Sequence, residues 1–119
     1  MIYKIGMLCK HFKGKSLIEK NIYKIIQMGV NSTDVDITKV KYTGDQDFPS
    51  AKNLVVYQNI FQDDMFFCRE YEDLAFEFSL EKQKEFLQIH RVEPLTPEEI
   101  NLVLSNEFKA SKELFMQSK

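Results

Sequence analysis

The residues of this sequence best suited to chemistry are cations set around a glycine. Lys10, His11, Lys13 and Lys15 surround Gly14, while Tyr57 and Arg69 stand in runs that read as strands. Ammonium and guanidinium groups neutralise phosphate, and aromatic faces stack bases. Lys10, His11, Lys13, Lys15, Tyr57 and Arg69 therefore form the candidate ligand site, suited to a nucleotide or a nucleic acid. A plainer reading stands beside it. Lysines near a turn are solvated, Tyr57 is a core residue with a wet hydroxyl, and Arg69 pairs with Glu70, Glu72 or Asp73.

Other constellations are weaker. His11 is the one plausible general base in this group, since an ordinary imidazole titrates near 6.5. No second residue at a demanding spacing accompanies it. Cys9 and His11 are two apart and share a face on a strand, and Cys68 and His90 would complete a four-ligand set acceptable to zinc. The pairs lack the usual Cys-x2–4-Cys or His-x3–5-His spacing, so packed thiols and scattered imidazoles explain them better. Either cysteine as a nucleophile meets the same objection, because thiols in apolar strands are inert core residues. Asp63, Asp64, Glu70, Glu72 and Asp73 supply carboxylates but nothing that sets their separation. Gly-rich phosphate loops, His-Glu-x-x-His and Gly-x-Ser-x-Gly do not occur. No cofactor or metal is expected.

The elements that must position these residues read as strands first and helices later. Ile5–Phe12 alternates with a period near 2 and meets a turn at Lys13-Gly14-Lys15. Residues 21–30 carry three isoleucines and a tyrosine, with Ile22, Ile26, Met28 and Val30 on one side and Tyr23, Ile25 and Gln27 on the other. A short strand at Thr38–Tyr42 fits between turn-rich Asn31–Asp34 and the Thr43–Ser50 loop. Leu54–Phe61 and Met65–Arg69 form a hairpin across Gln62-Asp63-Asp64. Ser79 then caps a short helix over Leu80–Gln88. Thr96-Pro97-Glu98-Glu99 is a capping box with proline at the first helical position. It opens an amphipathic helix running nearly to the C-terminus, with Ile100, Val103, Leu104, Phe108 and Phe115 on one stripe and Leu114 on its edge. About 20 residues would extend roughly 30 Å, so this helix crosses the domain or projects to a partner.

At 119 residues the chain suits a single domain, with 1–78 as its β part and 79–119 as its helical extension. Apolar and charged fractions of 44% and 29% exclude disorder and fibrous classes. The net charge of −2 excludes a dedicated nucleic-acid coat, but it is unevenly placed: residues 1–24 carry +5 and residues 34–77 carry −6. No apolar run approaches the roughly 20 residues a membrane span needs, and the N-terminal stretch lacks a signal cleavage site. Two distant cysteines do not make a disulfide scaffold, so a cytoplasmic setting with free thiols is expected. Ten Phe and five Tyr exceed what many cores need, which makes a homodimer or partner groove compete with pure core packing. Strands followed by helices indicate an α+β fold, and five short strands suggest closure as a small SH3-like half-open β-barrel.

His11-Phe12-Lys13-Gly14, Asn21-Ile22-Tyr23-Lys24-Ile25, Leu54-Val55-Val56-Tyr57 and Phe67-Cys68-Arg69 occur in an order and spacing that resemble a small bacterial β-rich domain family of unknown function. The resemblance covers roughly residues 8–78. It implies a compact β-rich fold and transfers no activity. The chain departs from that pattern by its longer connection across residues 31–53, by Phe in place of Trp, and by the helical extension.

The expectation is thus a non-catalytic cytoplasmic binding module that takes an anionic ligand or a protein at a barrel rim. The alternatives are a small enzyme using His11 as base and an assembly protein dimerising through the C-terminal helix.

Overall fold

The computed structural model describes residues 2–44, 48–62 and 64–118. Within them the alternating runs become β1 (Leu8–His11), β2 (Ile22–Val30), β3 (Val40–Tyr42), β4 (Leu54–Asn59) and β5 (Phe66–Glu70). The β4–β5 hairpin forms as expected, pairing Leu54 with Glu70 through Gln58 with Phe66. Its turn is built on Asn59, whose side-chain oxygen accepts from the Phe61 amide at 3.0 Å, and Asp63 lies outside the described residues. Residues 45–47 of the expected Thr43–Ser50 loop lie outside them too.

A sixth strand, β6 (Val92–Pro94), falls in the stretch read as helical. The sheet order is β3-β5-β4-β2-β1-β6, antiparallel throughout except for the parallel β3–β5 pair. The expected SH3-like barrel is not what forms: β3 and β6 remain as edges and the sheet is open. Closure is one way to remove long edges, but short edge strands are another, and both of these are three residues long. Pro94 can end β6 because an edge position needs no further N–H donor.

The two faces of the sheet divide the core. One face carries Cys9, Tyr23, Ile25, Val55 and Tyr57, covered by Tyr3 and Leu74. The other carries Ile22 against Leu95, Val103 and Phe108, and Leu54, Val56 and Cys68 against Val30 and Ala51. In β2 the register slips between Ile25 and Gln27 and again before Val30, next to Gly29 at φ +68°. Strict alternation is lost there, so Met28 packs with the Cys9 cluster and not with Ile22, contrary to the period-2 expectation. Cys9 and Cys68 are fully buried on opposite faces, which keeps them from meeting. Burial pushes their thiols up to about 12 and about 11, so both are inert.

One helical turn, α1 (Tyr71–Leu74), follows β5 directly, and α2 (Leu80–Phe86) begins at Ser79, whose hydroxyl accepts from the Lys82 amide. The Thr96–Glu99 capping box is present and starts α3 (Pro97–Val103). The long C-terminal helix is broken, however. Ser105 accepts from the Phe108 amide at 3.2 Å and donates to the Leu102 carbonyl at 2.7 Å, so its side chain ends one helix and caps the next, α4 (Asn106–Gln117). The break lets Val103 and Phe108 pack on the same Ile22–Leu95 surface, so the helices fold over the sheet. Among the described residues no helix is long and apolar enough to cross a membrane.

Candidate anion-binding pocket

Alternation along β1 sorts the candidate residues. His11 shares the Cys9 face, while Lys10 points to the helix-covered face and donates to Glu99 at 2.7 Å. Lys10 is therefore occupied by a structural ion pair and does not join the site. Lys15 is exposed, and the cavity wall does not include it. The remaining four, His11, Lys13, Tyr57 and Arg69, line one cavity of about 410 Å³. Glu19, Asn21, Tyr23, Thr43, Phe67 and Arg91 complete much of its wall.

The loop after β1 depends on Gly14. At φ +103° its backbone suits glycine, and a Cβ there would lie 3.0 Å from the Glu19 backbone carbon. The turn brings the Lys15 and Ser16 amides onto one Glu19 carboxylate oxygen at 3.0 and 3.1 Å. Those hydrogen bonds hold the Glu19 carboxyl below its ordinary range.

Tyr57 is a core residue, 6% exposed, with its ring packed between Tyr23 at 4.7 Å and Phe67 at 5.7 Å. Its hydroxyl lies 3.1 Å from the Thr43 hydroxyl. Tyr57 is thus a core residue, as in the plainer sequence reading, but its hydroxyl meets Thr43, and no open ring face is left for a base to stack upon. Burial raises the Tyr23 and Tyr57 hydroxyls above their ordinary range, so both stay neutral. Arg69 keeps an ion pair with Asp73, Nε to Oδ2 3.3 Å, as the local acids suggested.

His11 is lowered to about 4, first by burial and then by Lys13, Arg91, Lys20 and Arg69. Those four charged groups are all positive. It is thus neutral at physiological pH, and because Nδ1 accepts from the Lys13 amide at 3.3 Å, we assign its proton to Nε2. A base this weak is poorly matched to proton abstraction near pH 7.

Arg91 was not singled out by any local pattern. It arrives through backbone bonds, its amide to the Phe76 carbonyl at 2.9 Å and the Phe12 amide to its own carbonyl at 3.0 Å. These join the segment before β6 to the residues after α1 and to the loop after β1. Its guanidinium lies 5.4 Å from the Phe76 ring centroid, and its Nε is buried with no hydrogen-bond partner. The zinc set does not assemble: His90 faces Glu93 at 3.6 Å, and among the described residues no group of three His, Cys, Asp or Glu side chains could hold a metal. Of the carboxylates, Glu70, Glu72 and Asp73 line a separate cavity of about 330 Å³ with Lys52, and two of them are engaged, Glu70 accepting from Tyr42 and Asp73 from Arg69.

A larger groove of about 840 Å³ lies on the other face, walled by Leu8, Ile60, Phe61, Val103, Leu104 and Met116. Lys24, Lys109 and Glu113 are its charged members, and none of the candidate ligand residues reaches it. No family model, curated protein or solved structure matches the chain, so the chemistry of the pocket at His11 and Arg91 is what speaks to its role.

Proposed function

We propose that this chain is a non-catalytic binding module that holds a small anionic ligand in the pocket of His11, Lys13, Arg69 and Arg91. The observation that carries this reading is convergence. Residues chosen for their charge and aromaticity, from β1, the loop after it, β4 and β5, line one cavity together with a further arginine. A volume of about 410 Å³ falls among small-molecule sites, which span roughly 300–1,000 Å³. Lys13, Arg69 and Arg91 outnumber Glu19, whose carboxylate already takes two amides of its own loop. His11 is lowered chiefly by burial, and the same cations add to that.

A small molecule fits better than a nucleic-acid strand. A strand wants a line of cations and open aromatic faces, whereas Lys10 is drawn off to Glu99 and the Tyr57 ring is covered. The weak basicity of His11 favours binding over proton-transfer catalysis.

Amide resonances followed during titration test the reading directly. Nucleoside 5′-monophosphates should saturate and move Lys13, Gly14, Asn21, Thr43 and Arg69, and a short single-stranded oligonucleotide should not. The Lys13→Ala/Arg69→Ala double variant should lose about ten-fold or more in affinity while staying folded. Full affinity in that variant, or shifts concentrated away from the pocket, would refute the assignment.

A further inference from the structure

We propose that the ligand is a phosphomonoester bound as its dianion, with Arg91 as the residue that anchors its phosphoryl oxygens. This rests on the reading of the pocket as an anion site and concerns which anion it selects.

The charges facing the cavity come from each element around it. β1 presents His11, the loop after it Lys13 and Glu19, β2 Tyr23, β4 Tyr57, β5 Arg69, and the segment before β6 Arg91. Glu19 is satisfied within its own loop, and Arg69 is answered by Asp73 from α1. The two tyrosines stay neutral, and His11 stays uncharged down to about pH 4. Among the described residues Lys13 and Arg91 are left as two positive charges with no ion-paired acid, while Glu19 keeps its negative charge turned onto the amides of its own loop. Two charges match a dianion better than a carboxylate, a sulfate ester or a phosphodiester, each of which carries one.

Arg91 is the more specific of the pair. Among the described residues no carboxylate pairs with it, and its buried Nε lacks an acceptor. A buried donor without an acceptor is costly in a folded chain, and a planar guanidinium matches phosphate oxygens in its fork. His11 adds Nε2–H as a neutral donor, because Nδ1 is already engaged by the Lys13 amide. It can support an oxyanion without itself carrying charge.

The test compares phenyl phosphate with phenyl sulfate, which share a shape and differ in charge. The phosphate loses its second proton near pH 6, so it is dianionic at pH 7.5 and monoanionic at pH 5, while the sulfate is monoanionic at both. At pH 7.5 the phosphate should bind about ten-fold or more tightly than the sulfate, and at pH 5 the two should agree within about three-fold. In Arg91→Gln the preference at pH 7.5 should collapse, and Arg91→Lys should recover only part of it. Equal affinities at pH 7.5, or a preference that survives Arg91→Gln, would overturn this inference and leave an anion site of another kind. If neither probe nor any mononucleotide binds, the anion reading itself fails. The wild-type pH comparison needs no variant, and the backbone bonds that hold Arg91 do not use the side chain Arg91→Gln alters.

Discussion

Two cations drawn into this fold are treated in opposite ways. On the helix-covered side Lys112 of α4 is 3% exposed, and its ammonium donates to the Ile18 and Lys20 carbonyls at 2.7 Å each. The rings of Phe61 and Phe115 flank it at 5.8 and 5.4 Å. Lys20 is handled alike, donating to the Phe12 carbonyl at 2.9 Å and to Gln88 at 3.0 Å. In the pocket, Arg91 has an aromatic neighbour but a buried Nε with no acceptor. The chain can therefore saturate a structural cation with carbonyls and does so twice. Where it leaves one unsaturated, beside other cations and a cavity, binding is the physical account at hand.

The sharpest way to break this contrast is Lys112→Met. It leaves the Ile18 and Lys20 carbonyls without their donor and should destabilise the chain by about 2–4 kcal/mol in urea unfolding. Unchanged stability would mean that Lys112 is no more saturated than Arg91. The pH dependence comes next. The unfolded chain takes up the His11 proton near 6.5 and the folded chain only near 4, so in that window the unfolded state binds more protons. Stability should fall as pH drops from about 7 to about 4, by up to roughly 3 kcal/mol, and this contribution should be flat above pH 7. In His11→Gln that part of the slope should vanish, and a flat wild-type curve would show His11 to be well solvated, away from the cationic field. The smallest effect is the most telling. Arg91→Gln should leave stability within about 1 kcal/mol of wild type, because among the described residues no carboxylate pairs with it, its Nε makes no hydrogen bond, and only the Phe76 contact is lost. A larger loss in calorimetry would give Arg91 a structural duty and remove the contrast.

Much of the fold was readable locally. The strand at Leu54 and its hairpin, the Ser79 cap and the Thr96–Glu99 box follow from alternation and from side chains that satisfy nearby amides, which neighbours in sequence can reveal. The break at Ser105 was not read from the sequence, because the apolar stripe runs continuously past it and packing on Ile22 is what makes the break favourable. The slip in β2 was hidden for a related reason: a bulge is set by what the partner strand β4 accepts, and strict alternation is only the default. In the pocket, Lys13 and Arg69 were readable as cations and His11 as an imidazole near strands, whereas Arg91 offered no pattern of its own. Lys10 was misassigned to the site because period 2 tells which residues share a face, not which face holds a cavity.

By itself, then, the sequence determined most of the elements, two of the caps and a stock of cations with aromatic neighbours, since these depend on residues a few positions apart. Tertiary structure alone decided that the sheet stays open, that Lys10 turns to Glu99, and that Arg91 comes up beside His11. Those outcomes hang on β6 docking along β1 and on α3 and α4 covering the Ile22 face. Such pairings between distant segments are selected by the joint burial of whole surfaces, which no local run of residues encodes.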